Sequence, residues 1–140
     1  MGLLDRKKLL QKELLKTQKV DLGENDFVYV RQMTGRERDQ FERSLLKEVK
    51  DSKGKLDYER SIEDFRAKLA VNTVCDENGN LLLQPNDFPL LSQSMSAFRL
   101  EKIVNIAQEI NKITEDDKEG LIKNSDADLK DGSSSDSAKN

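Results

Sequence analysis

A chain of 140 residues with 35% apolar and 36% charged side chains has room for one modest core, its charge content lying above the roughly 25% of an average domain. Histidine is absent, which removes the side chain most used for acid–base chemistry near neutral pH and the commonest metal ligand. A formal net charge of -3 offers no basic excess for nucleic acid or an anionic membrane, and no run approaches the ~20 apolar residues of a membrane span. The lone Cys75 cannot form an internal disulfide, and the first residues lack the continuous apolar run of a signal peptide. Together these features predict a cytoplasmic protein that is not an enzyme.

Residues 3–16 read as an amphipathic helix. Leu3, Leu4, Leu10, Leu14 and Leu15 fall on one side, and Arg6, Lys7, Lys8, Lys12 and Lys16 take much of the rest, with Leu9 the misfit. Such a helix either docks on the domain's own core or offers Leu3, Leu10 and Leu14 to another chain. A basic arm for nucleic acid or membrane would want an aromatic residue to stack or insert, and none is present. Val20 and Leu22 then suggest a short strand, and Gly23-Glu24-Asn25-Asp26 a connection of hairpin length. Phe27–Met33 is the return strand of an antiparallel hairpin near residues 19–33. The unbroken apolar run Phe27-Val28-Tyr29-Val30 puts bulk on both strand faces, so either helices cover both or one face, with Phe27 and Tyr29, meets a partner.

Thr34 and Glu37 have the spacing of a capping box, so a helix should start there. Arg38/Glu42 and Asp39/Arg43 support its polar side, and Phe41, Leu45 and Val49 give it a narrow apolar stripe. Residues 50–55 read as a solvated loop. A second helix is expected from about Ser61 to Val74, burying Ile62, Phe65, Leu69, Ala70 and Val74, with Cys75 a small buried residue at its end. Asp76-Glu77-Asn78-Gly79-Asn80 is a strong turn signal. It also invites comparison with a calcium loop, but Leu81 stands where the glycine of an EF-hand is required, and Asp87 replaces the bidentate glutamate. Pro85 and Pro89 bracket a short turn or helical piece around Phe88, Leu90 and Leu91. The longest helix should run from Ser94 or Ser96 to about Ile113, with Leu100, Ile103, Val104, Ala107 and Ile110 on its core stripe and Phe98, Ile106 and Ile113 widening it. Thr114-Glu115-Asp116-Asp117 should open an acidic helical turn that docks through Leu121 and Ile122. From Ser125 onward the chain is rich in Ser and Asp without apolar period, the composition of a disordered tail.

The expected architecture is therefore a mainly helical α+β domain over residues 1–124, with about four to five helices, one short antiparallel hairpin and a disordered tail over 125–140. No phosphate loop, nucleophile elbow, paired CxxC or HExxH occurs, so no catalytic, cofactor or metal site is assigned.

The stretch Val20–Phe41, VDLGENDFVYVRQMTGRERDQF, resembles the tail assembly chaperones of long-tailed bacteriophages. The likeness lies in the leucine-rich start, the Phe27–Arg31 strand and the Thr34–Asp39 turn into a helix. It continues through Arg66–Ala70 and the Cys75–Gly79 turn, and covers roughly residues 3–124 by the order of several weak motifs. The resemblance implies a cytoplasmic protein of an infected or lysogenic host that helps build the tail and is absent from the mature virion. It implies binding to the tape-measure protein, whose apolar helices it keeps soluble, with recruitment of the tail tube protein by a longer frameshifted product. Self-association is the companion expectation, to shield the apolar surface until the client arrives. The other classes open at this point are a connector or head–tail joining protein of the virion and a small nucleic-acid-binding regulator.

Overall fold

The computed structural model describes residues 2–114 and 116–120. The expected tail over 125–140 and the docking of Leu121 and Ile122 lie outside the described residues. The elements are α1 (Arg6–Leu9), β1 (Thr17–Gly23), β2 (Asp26–Arg31), α2 (Gly35–Ser44), β3 (Leu46–Lys50), β4 (Leu56–Arg60), α3 (Phe65–Val71), β5 (Val74–Cys75), α4 (Phe88–Ser94) and α5 (Ala97–Ile110). A 3-10 turn, Pro85–Asp87, leads into α4, and one more helical turn occupies 116–120.

β1 and β2 form the expected hairpin, pairing antiparallel from Thr17↔Arg31 to Asp21↔Phe27. Its reversal places Glu24 and Asn25 at φ 55° and 68°, the left-handed pair whose twist suits a tight hairpin. Arg99 at the start of α5 fastens this turn, donating to the Gly23 carbonyl at 3.3 Å and to Asp26 Oδ2 at 3.0 Å. β5 pairs with the other edge of β2, Tyr29↔Cys75 and Val30↔Val74, giving a three-stranded antiparallel sheet in the order β1-β2-β5. Val20, Leu22 and Val30 meet Leu100, Ile103, Val104 and Ala107 of α5 in one core, which Phe41, Leu45, Phe65, Leu69 and Ala70 complete. Phe41 and Phe65 pack edge to face with centroids 5.6 Å apart, a geometry that suits the quadrupoles of the two rings.

The expectation of a mainly helical domain with about four to five helices and a single hairpin is corrected: the described residues hold six helices, α1–α5 and the turn at 116–120, and a second antiparallel sheet, β3–β4, paired from Leu46↔Arg60 to Lys50↔Leu56. The capping box is present: Thr34 Oγ1 accepts from Glu37 N–H at 3.2 Å and Glu37 Oε1 from Thr34 N–H at 2.9 Å. The helix it starts nonetheless stops at Ser44, and Val49 belongs to a strand. The turn responsible lies in the segment read as a solvated loop. Asp51 Oδ1 accepts from the N–H groups of Lys53 and Lys55, both at 2.8 Å, and Gly54 takes φ +82°, where a Cβ would be strained.

Two further boundaries shift for the same kind of reason. α3 is shorter than expected; Ile62 is exposed, and Val74 leaves the helix face to pair with Val30. Thr73 ends the helix, its hydroxyl donating to the Leu69 carbonyl at 2.8 Å while its own carbonyl accepts from Arg31 N–H at 2.9 Å. In α5, Phe98 is exposed rather than part of the core stripe, with Lys102 Nζ 4.8 Å from its ring. α5 closes on a Schellman motif: Ile113 N–H donates to the Gln108 carbonyl at 2.8 Å and Lys112 N–H to the Glu109 carbonyl at 3.2 Å. Lys112 holds the left-handed position, φ 58°, and Ile113 is buried.

Candidate partner-binding surface

The amphipathic helix expected over 3–16 is reduced to the single turn Arg6–Leu9, capped by Asp5, whose Oδ1 accepts from Lys8 N–H at 2.9 Å. A helix this short of the ~12–15 residues that sustain an isolated helix must gain its stability from packing, and none of its residues is buried. Residues 12–16 run on without helix into β1. There Lys16 accepts from Gln32 N–H through its carbonyl and donates its own N–H to Gln32 Oε1, both at 3.0 Å. The leucines are therefore neither on one helical face nor docked on the core. Leu3 is 100% exposed, Leu10 68% and Leu14 93%, with Leu4 and Leu9 exposed beside them and only Leu15 half-buried.

The other expected contacts, Phe27 and Tyr29, lie on the sheet face turned away from the Val20–Val30 core. Phe27 is 49% exposed and Tyr29 half-buried. Their rings meet edge to face at 5.9 Å, and Lys19 Nζ lies 4.2 Å from the Phe27 centroid. α5 packs on β1 and β2 from the core side, and among the described residues no helix lies over Phe27 on the opposite face. The arm and this aromatic patch are distinct surfaces, joined through β1.

Arg31, on the same face, is buried, and its guanidinium grips Glu37 with two bonds, Nη1 to Oε1 at 3.0 Å and Nη2 to Oε2 at 2.8 Å. Burial works to raise the Glu37 pKa, but the Arg31 hydrogen bonds, the Thr34 N–H and the Arg31 charge together hold it below the ordinary carboxylate value. Glu37 thus serves the capping box and the strand at once, locking α2 against the end of β2. Sequence reading caught the cap and missed the strand partner, because a bidentate pair six residues apart has no helical or strand periodicity to reveal it.

Asp76 opens the turn that invited comparison with a calcium loop. Its Oδ1 accepts from the N–H groups of Asn78 at 2.8 Å and Asn80 at 3.0 Å, so the carboxylate ties its own turn. The Asn80 N–H, foremost, keeps its pKa below the usual aspartate value. Cys75 is buried in β5, and that burial pushes its thiol pKa up, away from the thiolate that reactivity needs. Among the described residues no group of three or more His, Cys, Asp or Glu side chains could hold a metal ion, and no helix is long and apolar enough to cross a membrane. Among the described residues the arm gathers five exposed leucines, Leu3, Leu4, Leu9, Leu10 and Leu14. Comparisons with protein-family models, with curated proteins and with solved structures find no match to the chain.

Proposed function

We propose that this chain is a non-catalytic client-binding protein, a phage tail assembly chaperone that holds the tape-measure protein soluble until tail tube protein replaces it. The observation that supports the reading is the undocked leucine arm: Leu3, Leu10 and Leu14 are held in solvent at a cost that contact with an apolar helix would recover. A segment only one turn helical on its own can extend its helix on a client, laying its leucines in a groove, and peel away again without disturbing the sheet. Phe27 and Tyr29 offer a second apolar patch on a rigid strand. In this reading the protein works in the cytoplasm of the infected host and is absent from the finished virion.

Replacing Leu10 and Leu14 with Asp tests the assignment by co-purification with the tape-measure protein. Because both side chains are exposed, the double variant should fold as the native chain does and lose the client. A variant that folds and still retains its client would move the contact to Phe27 and Tyr29. Recovery of the chain from purified particles at the copy number of a structural subunit would favour the virion-connector reading instead.

A further inference from the structure

The β3–β4 ribbon is the one sheet in the described fold that no helix backs; it touches the rest of the domain mainly where β3 leaves α2. A two-stranded ribbon alone in water is marginal. Cross-strand partners share a face, so Leu46, Glu48, Lys50, Leu56 and Tyr58 all project to one side, and its three large apolar side chains, Leu46, Leu56 and Tyr58, are exposed. The two outer edges differ. Hydrogen-bonded and non-bonded pairs alternate along an antiparallel ladder. Ser61 N–H to the Leu45 carbonyl at 2.6 Å and Asp51 N–H to the Lys55 carbonyl at 2.9 Å fix the bonded pairs on the odd-numbered residues. The backbone groups of Leu46, Glu48 and Lys50 therefore point outward from β3, and those of Leu56 and Tyr58 outward from β4. On β4 the central outward donor is already taken, since Tyr58 N–H bonds Asp57 Oδ1 at 2.8 Å. Among the described residues no strand pairs with the outward groups of β3.

We infer that the free edge of β3 is a homodimer interface, at which two copies of this chain pair antiparallel about Val49 to make a four-stranded sheet β4-β3-β3-β4. The charges select both the occupant and the register. With Val49 opposite Val49 of the second copy, Glu48 faces Lys50 of the second copy, and the reverse, through the outward-pointing backbone groups. Lys47 then faces Asp51 of the second copy, so that Glu59, Lys47, Asp51 and Lys55 alternate in sign across the four strands. Sliding the register to bring Glu48 opposite itself would set two carboxylates face to face. Pairing through β4 about Tyr58 would oppose Asp57 to Glu59 twice, which disfavours that edge as well. In the β3 dimer the Leu46, Leu56 and Tyr58 side chains of both copies gather on one face. The site is separate from the leucine arm, so this inference does not depend on the client reading.

Light scattering during size-exclusion chromatography over a range of concentrations provides the test, with the full chain. The native protein should self-associate. Glu48→Lys and Lys50→Glu should each weaken association by roughly tenfold or more, because two like-charge pairs replace two attractive ones. An equimolar mixture of the two variants should restore it as a heterodimer, which a mere folding defect could not do. Val49→Cys should oxidise to a covalent dimer across the two-fold axis, where non-bonded pairs bring Cα atoms to about 4.5 Å. A native chain that stays monomeric, a Lys50→Glu variant that pairs as well as native, or a mixture that fails to rescue would overturn the proposal. So would loss of self-association in Leu10→Asp/Leu14→Asp, which would place the contact on the arm; client capture should survive Glu48→Lys and Lys50→Glu unchanged.

Discussion

Arg31 is a charged side chain that the fold buries, and Glu37 is what makes that burial tolerable. Removing the carboxylate would leave a guanidinium with its Nη1 bond to the Gln32 carbonyl but no counter-charge. Glu37→Ala should therefore cost about 2–4 kcal/mol, the cap and the pair being lost together, as read from urea midpoints. The sign with pH follows from the lowered folded-state pKa of Glu37: its stabilisation is present above the unfolded carboxylate value of 4.5 and is lost as pH falls through the lower folded one. Asp76 and Asp117 are lowered as well and act in the same direction, so unfolding free energy should be level near neutrality and decline below about pH 4.5. A Glu37→Gln variant should show a shallower acid decline than the native chain; an unchanged slope would remove Glu37 from the account. Lys112 presents the opposite case, a lysine where the helix terminus wants glycine. Lys112→Gly should stabilise by about 0.5–1 kcal/mol, seen as a melting temperature higher by a few degrees.

At the scale of elements, legibility followed whether the signal was local. The Thr34–Glu37 cap, the β1–β2 reversal and the Leu100–Ala107 stripe of α5 all lie within a few residues of their own causes, and each formed where expected. Phe41, Leu45 and Val49 misled because their spacing of four matches a helix, whereas Val49 obeys the two-residue period that Leu46–Lys50 shares with Leu56–Arg60. The Asp51–Gly54 turn was the available clue to that hairpin. β5 had no such clue: two residues become a strand only because β2 lies beside them. The arm failed as a helix because the leucine pattern describes a face that would be buried once something covers it, and among the described residues nothing does so. The expected consequence is that Leu10→Asp/Leu14→Asp leaves thermal unfolding within about 0.5 kcal/mol of native, the usual range for exposed positions. A larger loss would mean that the leucines pack on the domain in solution.

Around one core formed by α5, the three-stranded sheet and α2–α3, two segments lie outside it, a leucine arm before β1 and a ribbon between α2 and α3. The core was largely readable from apolar periodicity. The candidate surface was readable only as a list of leucines, since their exposure depends on how the rest of the chain packs. The arm is proposed to meet the client and the ribbon a second copy, so the two should fail independently when altered. The most direct measurement dilutes denatured tape-measure protein into buffer containing a stoichiometric amount of this chain and follows its aggregation by light scattering. The native chain should suppress scattering, while Leu10→Asp/Leu14→Asp, equally folded, should not. Scattering unaffected by the native chain, or suppressed as well by the double variant, would contradict a chaperone that works through its leucine arm.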